Sequence, residues 1–108
     1  MAIFVYGPSS TEIPLDDRVL AHLKIVMLAK LRRNESFAFS WEEGEEGNGA
    51  RSTVWIHPAI PLQFKHDEGP APILNKAWID QLMQSANTTA GLRVVPEPIA
   101  EPAMLHGT

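Results

Sequence analysis

One stretch limits the folds open to this chain more than any other: residues 16–34, DDRVLAHLKIVMLAKLRRN, the longest unbroken helical pattern in its 108 residues. Asp16 is an N-cap by residue type, because its carboxylate can accept from the free amides of a first turn, and Asp17 adds negative charge at the positive end of the helix dipole. Lys30, Arg32 and Arg33 place cations at the other end, and Asn34 suits a left-handed stop. At 100° per residue, Val19, Leu20, Leu23, Val26, Met27 and Leu31 form one broad apolar stripe, which should pack on a sheet. A second, weaker strip of Ala21, Ile25, Leu28 and Ala29 lies on the far side. A helix apolar on two flanks is covered twice, by its own chain or by a second one. A chain this short has little material for a second layer, so the strip is expected to be a homodimer contact; the alternative is that the C-terminal tail folds over it.

The remaining chain reads as strands and one further helix. Ile3–Tyr6 and Thr11–Leu15 flank the turn GPSS as a hairpin leading into the helix. Ser36–Trp41 alternates, with Phe37, Phe39 and Trp41 on the side that would meet the helix stripe. Glu42–Ala50, EEGEEGNGA, reads as a solvated hairpin loop; its carboxylates match no calcium-loop spacing. Arg51–His57 alternates again, Pro58–Pro61 is a stiff turn, and Leu62–Lys65 resumes an extended run. Asn75 caps a second helix whose Trp78, Ile79, Leu82, Met83 and Ala86 share a face. Gly91 stops it, and Leu92–Val95 is a last short strand. The order ββαβββαβ gives an α+β fold, a mainly antiparallel sheet of about five or six strands with both helices on one face. Residues 1–95 make the single domain, and the proline-containing tail 96–108 is expected to be extended or disordered unless it packs on a neighbour.

If the helices cover the Phe37, Phe39 and Trp41 side, the opposite face presents Ser36, Ser40, Arg51, Thr53, Trp55 and His57. A flat ring beside a guanidinium can stack a base and hold a phosphate, so Arg51, Thr53, Trp55 and His57 are the candidate ligand site, with Lys30, Arg32 and Arg33 as candidate phosphate contacts. The competing reading is that Trp55 simply covers an open sheet face against a cross-strand neighbour. Chemistry beyond binding finds little support. The four histidines, His22, His57, His66 and His106, lie on separate elements without metal-ligand spacing. No serine sits in a GxSxG elbow, and neither GPSS nor GEEGNG is a phosphate-cradling glycine motif. His66-Asp67-Glu68 is an acid/base cluster by adjacency only, since loop neighbours point apart. No catalytic residue, metal or cofactor is expected.

A net charge of −4 argues against a broad nucleic-acid footprint while leaving room for a local one. The absence of cysteine excludes disulfides and thiolate sites. No apolar run is long enough for a membrane span, and MAIFVYGPSS lacks the form of a secretory signal, so a soluble cytoplasmic protein is expected.

The segments VYG, DDRVLAHLKIVMLAKLRRNESFAFSW, RSTVWIHPAIPLQFK, LNKAWIDQLM and GLRVVPEP together resemble a small single-domain family of actinobacteria and their phages that carries the label "ATP-dependent DNA ligase" or domain of unknown function. The match runs from about Ile3 to Pro98. It implies a fold and an association with DNA metabolism, and it carries over no catalytic residues: none of Lys24, Lys30, Lys65 and Lys76 opens the KxDG motif in which a ligase lysine takes up AMP. The reading is therefore a non-enzymatic, homodimeric binding module. The alternative is a nucleic-acid or nucleotide binder, an accessory of DNA metabolism or a phage protein that sequesters a host nucleotide, and the remaining class is an enzyme of unrecognised type.

Overall fold

The computed structural model describes residues 1–43 and 49–99, so the centre of the glutamate-rich loop and the tail beyond Ile99 lie outside the described residues. Six strands and two helices follow in the expected order: β1 (Ala2–Tyr6), β2 (Thr11–Leu15), α1 (Asp17–Arg32), β3 (Phe37–Glu42), β4 (Arg51–Ile56), β5 (Leu62–Lys65), α2 (Lys76–Ala86) and β6 (Leu92–Arg93). The class is α+β, as the residue pattern indicates. The strands divide into two three-stranded sheets, β2-β1-β5 and β4-β3-β6. All pairings are antiparallel except β3 with β6, which is parallel.

Local chemistry explains the element ends. Asp16 accepts from the amides of Arg18 and Val19 at 3.1 and 3.3 Å. At the other end of α1 the amide of Glu35 bonds back to the Lys30 carbonyl and that of Asn34 to Leu31, with Asn34 at φ 61°, a Schellman-type stop. Asn75 caps α2 through Ala77 and Trp78. Between β4 and β5, Pro58 and Pro61 bracket a turn closed by Ile60 N–H on the His57 carbonyl at 2.9 Å. That turn carries β5 away from β4, and β5 pairs with β1 instead.

The core joins the two sheets. Phe4 of β1 meets Phe39 of β3 edge to face, with centroids 5.9 Å apart, and Phe39 stacks on Trp41 at 5.4 Å. Leu20, Leu23, Val26 and Met27 of α1 and Trp78 and Leu82 of α2 complete it, all buried. Burying a side chain of this size contributes about 1.5–3 kcal/mol. The whole apolar side of β3 is therefore spent on the core, which leaves its other side and that of β4 to solvent. Among the described residues no helix is long and apolar enough to cross a membrane.

Candidate functional site

The β3–β4 register sets the site. Ala38 lies opposite Trp55, Ser40 opposite Thr53 and Glu42 opposite Arg51, while Phe37, Phe39 and Trp41 face Ile56, Val54 and Ser52 on the core side. Because directly opposed residues share a face, Arg51, Thr53 and Trp55 come together on the outer side, and they and His57 are all exposed, as the alternation requires. Trp55 stands out at 55% exposure, whereas Trp41 and Trp78 are at 9% and 3%. The hydroxyls of Ser40 and Thr53 bond across the strands at 2.7 Å. Tyr6 donates its hydroxyl to the Trp55 carbonyl at 2.6 Å and so ties this strand to the first sheet. His57 accepts the Ala59 amide at Nδ1, 3.0 Å, which leaves only Nε2 for a ligand.

Sequence reasoning missed Arg93. In the parallel β3–β6 pair it lies opposite Ser40 and thus on the same outer face, with β3 between it and the β4 residues Thr53 and Arg51. The alternation of Leu92 and Arg93 is visible in the sequence, but nothing local names β3 as the neighbour. Arg51, Arg93, Ser40 and Glu42 line the polar side of a groove of about 610 Å³, with Val19 of α1 and Val95 on its apolar side. That volume falls within the range of small-molecule sites. Neither guanidinium is in an ion pair among the described residues. The groove carries two cations, Arg51 and Arg93, against two carboxylates, Glu42 and Asp16, the second of which also caps the helix.

The wall formed by residues 94–96 is held from behind. Trp78 donates Nε1–H to the Val95 carbonyl at 2.8 Å. Arg18 grips Glu97 with both ends of its fork, at 2.8 and 2.7 Å, and donates its third group to the Ile73 carbonyl at 2.9 Å. Asn75 adds a bond to Glu97 at 2.9 Å and one to the Pro98 carbonyl at 3.1 Å. The hydrogen bonds from Arg18, and then from Asn75, hold the Glu97 carboxyl well below the usual range, at about 2. The start of the expected free tail is thus anchored at Glu97 and Pro98; its remainder, residues 100–108, lies outside the described residues.

The basic end of α1 is arranged differently from the sequence expectation. Lys30 is buried at 5% exposure, with Nζ donating to Glu35 at 3.0 Å and Asn87 at 2.7 Å and standing 5.7 Å from the Phe37 ring centroid. Its donors tie α1 to the end of α2, so it is withdrawn from the candidate phosphate contacts. Arg32 and Arg33 are exposed. The Lys30–Phe37 contact sets this helix end beside the start of β3, on the core side of the sheet, so the two arginines do not join the groove. The weak apolar strip is also divided. Ala21 is buried and lines a recess of about 160 Å³ with His66, Pro70 and Pro72, so the 66–72 segment covers that end of the strip. Leu28 and Ala29 are half-buried, and Ile25 is exposed at 37%.

Among the described residues, no group of three or more histidine or carboxylate side chains is placed to hold a metal ion. Asp17, His66 and Asp67 do meet, but as a structural clasp: Asp17 accepts the Asp67 amide at 3.0 Å and faces His66 Nδ1 at 3.2 Å. The outer face thus brings together an exposed ring, paired hydroxyls and two guanidinium groups without an ion-pair partner among the described residues.

No curated protein and no solved structure matches the chain. A family model described as a domain of unknown function, DUF7882, matches residues 1–97, from the first strand to the carboxylate that Arg18 grips. The chain belongs to this family of unknown function.

Proposed function

We propose that this protein is a non-enzymatic binding module whose ligand surface is the outer face of the β4-β3-β6 sheet, and that the ligand is a short stretch of single-stranded nucleic acid. The observation that carries the reading is Trp55: it is the one tryptophan left largely in water, on the same face as Arg51 and Arg93. Along β4 the Trp55 backbone stands about 13 Å from that of Arg51, four residues at strand rise. That span suits a ligand with a base at one end and backbone phosphates at the other. A tryptophan face stacks any base, and a guanidinium grips phosphate oxygens through a fork. An association with DNA metabolism, which the family resemblance implies, fits the same reading, as does the cytoplasmic setting expected from a chain without cysteine.

The test is titration of the full chain with short oligothymidylate while tryptophan emission is followed. Base stacking is worth about 1–3 kcal/mol, so Trp55→Ala should weaken binding roughly tenfold or more. Two phosphate contacts predict a shallow salt dependence, with a log–log slope of about −1.4. No quenching, or quenching that survives in Trp55→Ala, would remove the reading. A protein partner is favoured instead by one observation: Ile73 and Leu74 are exposed at 87% and 45%, and the Asn75–Pro98 bond sets them close to Ile99, exposed at 92%. Binding through that apolar patch would be indifferent to salt and to Trp55.

A further inference from the structure

The outer edge of β4 is a built pairing surface. In the β3–β4 ladder the Glu43 amide bonds to the Ala50 carbonyl at 2.8 Å, which makes that pair a hydrogen-bonded one. Antiparallel pairs alternate between bonded and unbonded, so Trp41–Ser52, Phe39–Val54 and Phe37–Ile56 are bonded while Glu42–Arg51, Ser40–Thr53 and Ala38–Trp55 are not. The amides and carbonyls of Arg51, Thr53 and Trp55 therefore point away from β3. The Tyr6 hydroxyl on the Trp55 carbonyl confirms the direction, and it uses only one of that oxygen's two lone pairs. Among the described residues no strand pairs with this edge, since β4 ends its sheet. It carries neither proline nor a bulge, the usual devices that keep an edge from pairing.

We infer that the occupant of this edge is a second copy of the same chain, paired antiparallel through β4 about a two-fold axis at Thr53. The sequence Arg51-Ser-Thr53-Val-Trp55 is complementary to itself in that register. Thr53 meets Thr53 of the second copy, where the two hydroxyls can bond. Arg51 meets Trp55 of the second copy, and the reverse, which sets a guanidinium beside an exposed ring on both sides of the axis. An axis at Arg51 would instead oppose two cations. The result is a continuous sheet, β6-β3-β4 joined to β4-β3-β6, of the isologous kind that closes after two copies. It also changes the geometry of the outer face. Within one chain Arg51 is about 13 Å from Trp55, whereas the second copy's Arg51 backbone lies about 5.5 Å from that of Trp55. The association uses the backbone edge and stands whether or not the face takes nucleic acid.

Sedimentation of the full chain at micromolar concentration should give a dimer. Thr53→Pro removes an outward amide and leaves the β3 ladder intact, so it should give a folded monomer, with folding read from far-ultraviolet circular dichroism. Thr53→Cys supplies a second measurement in a chain without cysteine: two thiols meeting at the axis fall within disulfide reach, and a covalent dimer should form far faster than with the exposed control His57→Cys. A monomeric wild type would overturn the inference. So would equal cross-linking rates, or a dimer that survives Thr53→Pro but is lost in Ile25→Asp, which would move the contact to the helix strip.

Discussion

The sharpest test of the packing logic is His22. The residue is fully buried on α1, and both ring nitrogens are engaged: Nδ1 donates to the Arg18 carbonyl at 2.7 Å, and Nε2 accepts the Asn75 amide at 2.8 Å. An amide can only donate, so the proton must sit on Nδ1. The ring also lies on Trp78 with centroids 4.5 Å apart. His22→Phe keeps a ring of similar size against Trp78 but strands the buried Asn75 amide. The Arg18 carbonyl remains in the helix ladder, so the loss is dominated by one unsatisfied donor, about 1–3 kcal/mol. For a domain of this size that lowers Tm by roughly 10 °C. His22→Ala loses the ring contact as well and should cost about 3–5 kcal/mol. Urea titration followed by tryptophan emission, with Trp78 as the nearby probe, gives both values. If His22→Phe were as stable as wild type, the claim that this imidazole anchors the α2 cap would be refuted.

Three further outcomes follow from the same structure. Gly91 has φ +84°, and a Cβ there would stand 2.6 Å from the Ala38 carbonyl oxygen, so Gly91→Ala should destabilise by about 2 kcal/mol or more and loosen β6 with its Arg93, measured by urea titration. The carboxyls of Glu97, Asp17 and Glu35 are lowered chiefly by Arg18, by the Asp67 amide and by Lys30 respectively. A depressed folded pKa contributes stability that is present above the unfolded value and lost as pH falls through the folded one. Stability should therefore decline from about pH 4.5 towards pH 2, and Glu97→Gln should flatten that decline in an acid titration by circular dichroism. Lys30→Met keeps the buried stem but removes the donors to Glu35 and Asn87 that tie α1 to the end of α2, so it should destabilise by about 1–3 kcal/mol, read by urea titration.

What could be read from the residues was what neighbours in the chain decide. Asp16 and Asn75 are caps because a short carboxylate or amide reaches amides two and three positions on, and Asn34 stops α1 because its own backbone tolerates a left-handed turn. The alternation of β3 and β4 put Phe39 and Trp41 inward and Thr53 and Trp55 outward, since the pleat sends successive side chains to opposite faces. Lys30 shows the limit. Its place at a helix end is legible as dipole compensation, but its burial between Phe37, Glu35 and Asn87 depends on where α2 ends in space.

Tertiary structure alone decided which strands became neighbours, because a strand's pattern specifies a face and leaves its partner open. Nothing within residues 92–93 selects a parallel place beside β3, and that place is what brings Arg93 to Ser40 and makes the groove. Likewise, the helix strip reads as free in the sequence, and only the path of residues 66–72, pinned by Asp17 and covering Ala21, closes part of it. Local order came from bonds a few residues apart; the groove and the outer face beside it came from contacts tens of residues apart, whose formation depends on burying the shared core of Phe4, Phe39 and Leu20.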